Sequence, residues 1–343
     1  MQAPYADFFS PQANYNSLIS SFLALIRNLN PAMATIIKVD HLSKFFQDIK
    51  AVQDISFTVE EGDIYGFLGQ NGAGKSTTIR MLLTLIAPTE GSIEIFGKNL
   101  KTSRKEILRL VGAVIERPDL YKYLSAYENL SIFSRMSGVH LTRKQLLDQL
   151  ESVGLAQRAF HKVKTYSQGM RQRLGIAVAL VHNPQLIILD EPTNGLDPQG
   201  IADVRNLILH LSRHQQKTVF VSSHLLSEME MIANRMLILD KGKKMVEGTV
   251  RELFDPNRIL VKVDVLNAEM ITDKVKSSRW NNILREAYNQ HFLFQLNRQQ
   301  IPELTNDLVA MGASIIAVQP RHSLEEYFLS LTTPNQHVDA FTN

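Results

Sequence analysis

Gly69-Gln70-Asn71-Gly72-Ala73-Gly74-Lys75-Ser76-Thr77 is the stretch whose reading decides the fold. It matches the phosphate-binding pattern G-x-x-x-x-G-K-[ST] at every fixed position. Gly69, Gly72 and Gly74 lack Cβ atoms, so the backbone can curl around a phosphate and aim its N–H groups at the oxygens. Asn71 and Thr77 belong to the same cradle. Lys75 supplies a point charge for the β- and γ-phosphates, and the Ser76 hydroxyl can ligate Mg²⁺. The apolar run Ile64-Tyr65-Gly66-Phe67-Leu68 predicts a buried strand before the loop. Residues 76–86 predict a helix after it, with its positive N-terminal end toward the phosphates. Strand, glycine-rich turn and helix in this order imply a nucleoside triphosphate site.

Outward from that loop, strand-like and helix-like patterns alternate, as in a layered α/β domain. Residues 36–39, 55–59 and 93–96 read as strands, and 111–115, 186–189, 219–221 and 236–239 as short buried parallel strands. Segments 125–136 and 142–152 carry apolar residues at helical spacing and predict a helical insert. The second decisive motif is Leu186-Ile187-Ile188-Leu189-Asp190-Glu191. Its apolar run predicts a strand, and its two carboxylates emerge at the C-terminal end, where α/β sheets bind ligands. Asp190 is the candidate Mg²⁺ ligand, directly or through water, and Glu191 the group that polarises an attacking water. This pairing predicts hydrolysis as well as binding.

Between the two motifs lies Thr165-Tyr166-Ser167-Gln168-Gly169-Met170-Arg171-Gln172-Arg173. It resembles the signature of ATP-binding cassette (ABC) ATPases, normally LSGGQ followed by a basic helix. Ser167 and Gly169 match the core of that signature; Tyr166, Gln168 and Met170 depart from it in a form familiar among exporter ATPases. The resemblance covers residues 35–253. It implies a P-loop NTPase cassette with a mixed sheet and a helical subdomain, binding ATP and Mg²⁺. It also implies that Ser167 and Gly169 reach the γ-phosphate held by an opposite subunit, so that the site closes in a homodimer. Further landmarks carry over: Phe46, with Phe45 as rival, to stack on adenine; Asp197 in Asn194-Gly195-Leu196-Asp197-Pro198 to bridge subunits; and His224 to contact the γ-phosphate. Where the family usually has a glutamine near the metal, this chain has Glu116, expected to serve both nucleotide and Mg²⁺. That glutamate, followed by Leu-Ser-Ala-Tyr-Glu-Asn-Leu at 124–130, resembles the bacitracin- and lantibiotic-resistance branch.

The rest of the chain sets looser bounds. A net charge of +3 with no dense basic run gives no reason to expect nucleic acid. The absence of cysteine excludes disulfides and thiol chemistry. No apolar stretch approaches the roughly 18 to 20 residues of a membrane helix, so any membrane role goes through a partner. The expected division is an N-terminal extension at 1–34, the ATPase at 35–254, a small α+β accessory domain at 255–332 and a disordered tail at 333–343. The extension reads as poorly ordered or as sequence upstream of a start at Met33, with a small amphipathic helix on a membrane or a partner as the alternative, and not as a targeting signal. In the accessory part, 259–265, 291–296 and 314–318 read as strands, 301–311 and 324–331 as helices, and Trp280 and His291 as core or surface residues.

The expected function is the ATPase subunit of an exporter whose integral membrane permease is a separate chain. It would sit peripherally on the cytoplasmic face of the membrane, and antibiotic resistance is the expected setting. The alternative is an ABC ATPase acting in translation or DNA repair. Ribosome-associated members usually carry two cassettes, and repair relatives insert a long coiled coil before the signature. About ninety residues separate Lys75 from Ser167, which leaves no room for one.

Overall fold

The computed structural model describes residues 34–253, 259–288 and 290–321. The expected N-terminal extension, the helix at 324–331 and the tail therefore lie outside the described residues. In chain order the elements are β1 (Thr35–Phe46), β2 (Ile49–Glu60), β3 (Ile64–Gly69), α1 (Lys75–Leu82), β4 (Glu90–Ile95), β5 (Lys98–Asn99), α2 (Arg104–Leu108) and β6 (Val111–Val114). A helical arm follows, α3 (Ala126–Met136) and α4 (Arg143–Ser152), then α5 (Gln168–Ala179). The chain then alternates through β7 (Leu186–Leu189), α6 (Pro198–Arg213), β8 (Thr218–Ser223), α7 (Leu226–Ile232) and β9 (Arg235–Asp240), and ends this part with β10 (Lys243–Thr249) and α8 (Val250–Leu253).

A six-stranded sheet of order β10-β9-β3-β8-β7-β6 forms the centre, parallel except where β10 pairs with β9. Its inner strands are apolar on both faces because both faces are covered. Side chains alternate across a strand, so Ile187 and Leu189 enter one core while Leu186 and Ile188 enter the other. The first core lies against the helical arm and α5 to α7. The second lies against a four-stranded antiparallel sheet of order β2-β1-β4-β5, where Phe57, Tyr65, Phe67 and Phe220 cluster with ring centroids 5.2–6.2 Å apart. Both arm helices begin with capping boxes, Ser125 with Glu128 and Thr142 with Gln145.

Several expected elements have different bounds, and two show why. The strand expected at 36–39 runs on to Phe46, because register shifts after Val39, with His41 at φ 49°, break the alternation without ending the pairing. The helix expected at 76–86 starts at Lys75 and ends at Leu82, since Thr84 turns to φ 59°.

After the undescribed residues 254–258, the chain forms β11 (Ile259–Val265), α9 (Ala268–Lys276), β12 (Leu284–Tyr288), β13 (His291–Leu296), α10 (Ile301–Ala310) and β14 (Ile315–Arg321). The sheet order is β12-β13-β11-β14, all antiparallel, and Val261, Val263, Phe292 and Phe294 pack with Ile271, Val275, Leu304 and Leu308 in a third core. Trp280 is buried, and its indole Nε1 donates to Asp307 Oδ2 at 2.8 Å. That bond, with the Arg279 guanidinium, holds the Asp307 carboxyl below its usual range. His291 lies beside Tyr288, with ring centroids 5.0 Å apart.

Candidate active site

The β3–α1 loop needs glycine for reasons that differ by position. Gly72 and Gly74 take φ of 83° and 106°, which residues with a Cβ avoid. A Cβ on Gly74 would lie 2.5 Å from the Ala51 carbonyl oxygen, and one on Gly69 would lie 2.6 Å from that of Leu239. The loop thus nests against β2 and β9. It borders a cavity of about 510 Å³ lined by Asn71, Gly72, Gly74, Lys75, Ser76 and Thr77, with Ile49, Lys50, Ala51, Gln53, Glu191, Asn194 and Lys241 completing the wall. Lys75 is only 5% exposed; its Nζ donates to the Gly69 carbonyl at 2.6 Å and the Gln70 carbonyl at 3.2 Å.

The ends of β7 and β8 deliver the acids to this loop. Leu189 pairs with Val221, so the next residues along the two strands, Asp190 and Ser222, stand side by side. Asp190 is 1% exposed; its Oδ1 accepts from Ser222 Oγ at 2.6 Å, while Oδ2 is buried with no partner among the described residues. Glu191 turns to φ 50° and its N–H donates to Ser222 Oγ at 2.9 Å. Its Oε2 lies 2.6 Å from His224 Nδ1, and its Oε1 lies 3.1 Å from Lys75 Nζ, in ion-pair range but outside hydrogen-bond geometry. Lys75, Glu191 and His224 are therefore one connected group. A buried carboxylate oxygen without a protein donor is costly unless a cation takes it, so Asp190 fits the expected role of Mg²⁺ ligand.

The other expected residues occupy other places. Ser167 caps α5, accepting from the Met170 N–H at 3.2 Å, and Gly169 is buried in its first turn. Asp197 caps α6, accepting from Gly200 at 3.2 Å, with Pro198 opening the helix. Phe46 is 44% exposed, with Lys44 Nζ 4.9 Å from its ring centroid. None of these is among the residues lining the Lys75 cavity.

Glu116, expected to serve nucleotide and metal, sits at φ 57° with its side chain 64% exposed, and its Oε1 is 2.6 Å from an Arg80 guanidinium nitrogen. Sequence reasoning also assigned no role to Ser222, although it stands in Ser222-Ser223-His224, and none to Ile49, Ala51, Gln53 or Lys241. The only local signal was a hydroxyl residue ending an apolar strand; the cavity wall from β2 has none.

A family model described as ABC transporter matches residues 52–194. The bacitracin transport ATP-binding protein of Bacillus licheniformis is 50% identical over 227 residues, covering 66% of this chain and 74% of that protein. The protein of the same description from Enterococcus faecalis is 35% identical over 300 residues, covering 87% and 97%. The chain belongs to the ATP-binding subunits of ABC transporters. Among solved structures, a dimeric ATP-binding cassette in a post-hydrolysis state, bound to ADP and Pi, aligns with a TM-score of 0.56 and 26% identity over 63% of this chain and 99% of that one. As an ABC ATPase, this cassette has its phosphate loop after β3 and its acidic pair after β7 of the same sheet, and the loop and Glu191 line one cavity.

Proposed function

We propose that this ABC ATPase drives an exporter whose permease is a separate membrane-spanning chain, and that two copies close around Mg-ATP to do so. The observation that carries the reading is the connected group Lys75, Glu191 and His224 beside the unpartnered Asp190 oxygen. Lys75 and the loop N–H groups hold the β- and γ-phosphates. Ser76 and Asp190 would hold Mg²⁺, which when bound would neutralise charge on the phosphates. Glu191 takes the proton of a water as its oxygen attacks the γ-phosphorus. The bond from that phosphorus to the bridging β-phosphate oxygen breaks, giving ADP and inorganic phosphate. His224 steadies the Glu191 carboxylate and reaches toward the γ-phosphate.

The Lys75 cavity is lined without Ser167 or Gly169, which supports a site completed by the signature of a second copy. Asp197 would bridge the copies, and Phe46 would stack on adenine. ATP binds the closed state better than the open one, and hydrolysis resets it. The groove near Glu116 to Tyr127 would pass that motion to the permease. Among the described residues no helix is long and apolar enough to cross a membrane, which fits a subunit held peripherally at the cytoplasmic face. Relatives named for bacitracin transport support the peptide-antibiotic branch. We assign 35–254 to the cassette and 255–332 to an accessory domain, which in the described residues carries its own core. Size-exclusion chromatography of Glu191→Gln with Mg-ATP tests the reading. A shift from monomer to dimer on adding nucleotide supports it, and a monomer at saturating nucleotide contradicts it.

A further inference from the structure

We propose that Ser222 is a positioning residue for hydrolysis, its single hydroxyl fixing both the Asp190 carboxylate and the Glu191 backbone. This rests on the assignment of Asp190 to Mg²⁺ and Glu191 to the attacking water. Ser222 is fully buried near the end of β8. Its Oγ–H donates to Asp190 Oδ1 at 2.6 Å, and the same oxygen accepts the Glu191 N–H at 2.9 Å. A hydroxyl can do both at once, having one proton and two lone pairs.

Two consequences follow from that one atom. Asp190 Oδ1 is committed, which sets the carboxylate plane and leaves Oδ2, buried and unpartnered, as the oxygen available to a cation. Ser222 thus chooses which oxygen meets the metal, as outer partners of metal ligands do. Glu191, meanwhile, is held at φ 50°, a left-handed turn unusual for a residue with a Cβ. Its bond to Ser222 pins that turn, and the turn aims the carboxylate at Lys75 Nζ and His224 Nδ1. The strand itself runs Thr218-Val219-Phe220-Val221, so another valine would satisfy the apolar pattern of β8. It would also leave a buried carboxylate oxygen and a backbone N–H unpaired.

The test compares Ser222→Ala and Ser222→Thr with Asp190→Asn and Glu191→Gln in the full chain. ATPase kcat and KM are measured together with the affinity for a fluorescent ATP analogue, without metal and across a Mg²⁺ titration. Thermal unfolding monitors the fold. Ser222→Ala is expected to lose about 10- to 100-fold in kcat, the usual scale for an outer partner of a metal ligand. Its Mg²⁺ midpoint should rise while metal-free nucleotide affinity stays at the parent value. Ser222→Thr, which keeps the hydroxyl, should recover most of the loss. Parent-like kcat and Mg²⁺ midpoint in Ser222→Ala overturn the proposal. So does an equal fall in metal-free affinity, or a threonine no better than alanine. If Asp190→Asn and Glu191→Gln keep full turnover, it is the underlying active-site reading that fails, and Ser222 falls with it.

Discussion

β3, β8, β7 and β6 are neighbours in one parallel sheet and end on one edge, yet their ends differ in kind. At β3, β7 and β8 the side chains interlock: Lys75 against Glu191, Glu191 against His224, and Ser222 against Asp190. Beyond β6, Glu116 stands 64% exposed with Arg80 as its ion-pair partner among the described residues. The contrast shows that surroundings, more than place on the sheet, set the work of a carboxylate. Asp190, at 1% exposure, carries an oxygen that nothing among the described residues satisfies, which suits it to a cation. Glu116 is in water with a guanidinium beside it, so its charge is already partnered.

The largest effect should come from the interlocked side. Glu191→Gln is expected to bind ATP normally and lose roughly 10²- to 10⁴-fold in turnover, the scale for a positioned base, read by phosphate release. Near-normal release would remove Glu191 from that role and level the contrast with Glu116. Gly74→Ala should come next. Its new Cβ would press on the Ala51 carbonyl from a φ of 106°, a strain of about 1–3 kcal/mol. Urea unfolding should show that loss, and nucleotide affinity should fall with it; parent values would mean that the loop relaxes freely. The smallest effect is expected at Glu116→Gln, because an exposed ion pair contributes at most about 1 kcal/mol. Its Mg²⁺ titration should overlie that of the parent. A shifted midpoint would bring Glu116 to the metal and break the comparison.

What was legible in the sequence is what short-range pattern can carry. The phosphate loop declares itself through glycine spacing, and β3, β7, β8 and β9 through apolar runs that only a doubly covered strand tolerates. The arm helices declare themselves through apolar residues at helical spacing. What was missed depends on partners far away in the chain. Ala51 roofs Gly74 with a carbonyl, which no side-chain pattern records. Arg80 captures Glu116 from a helix 36 positions earlier, and Ser222 reaches Asp190 from the adjacent strand. In the accessory part, β12 is an edge strand with little burial, and α9 buries only Ala268, Ile271 and Val275, so neither offers much periodicity to read.

The shared site is tested most directly by mixing two inactive chains. A Lys75→Ala chain has a dead phosphate loop and an intact signature; a Ser167→Arg chain has the reverse. Each homodimer lacks one half at every site and should be nearly inactive. A heterodimer carries one site with both halves intact and one with both defects. The mixture is therefore predicted to recover part of the parent ATPase activity. If heterodimers form and no activity returns, the site is not built from two chains in this way.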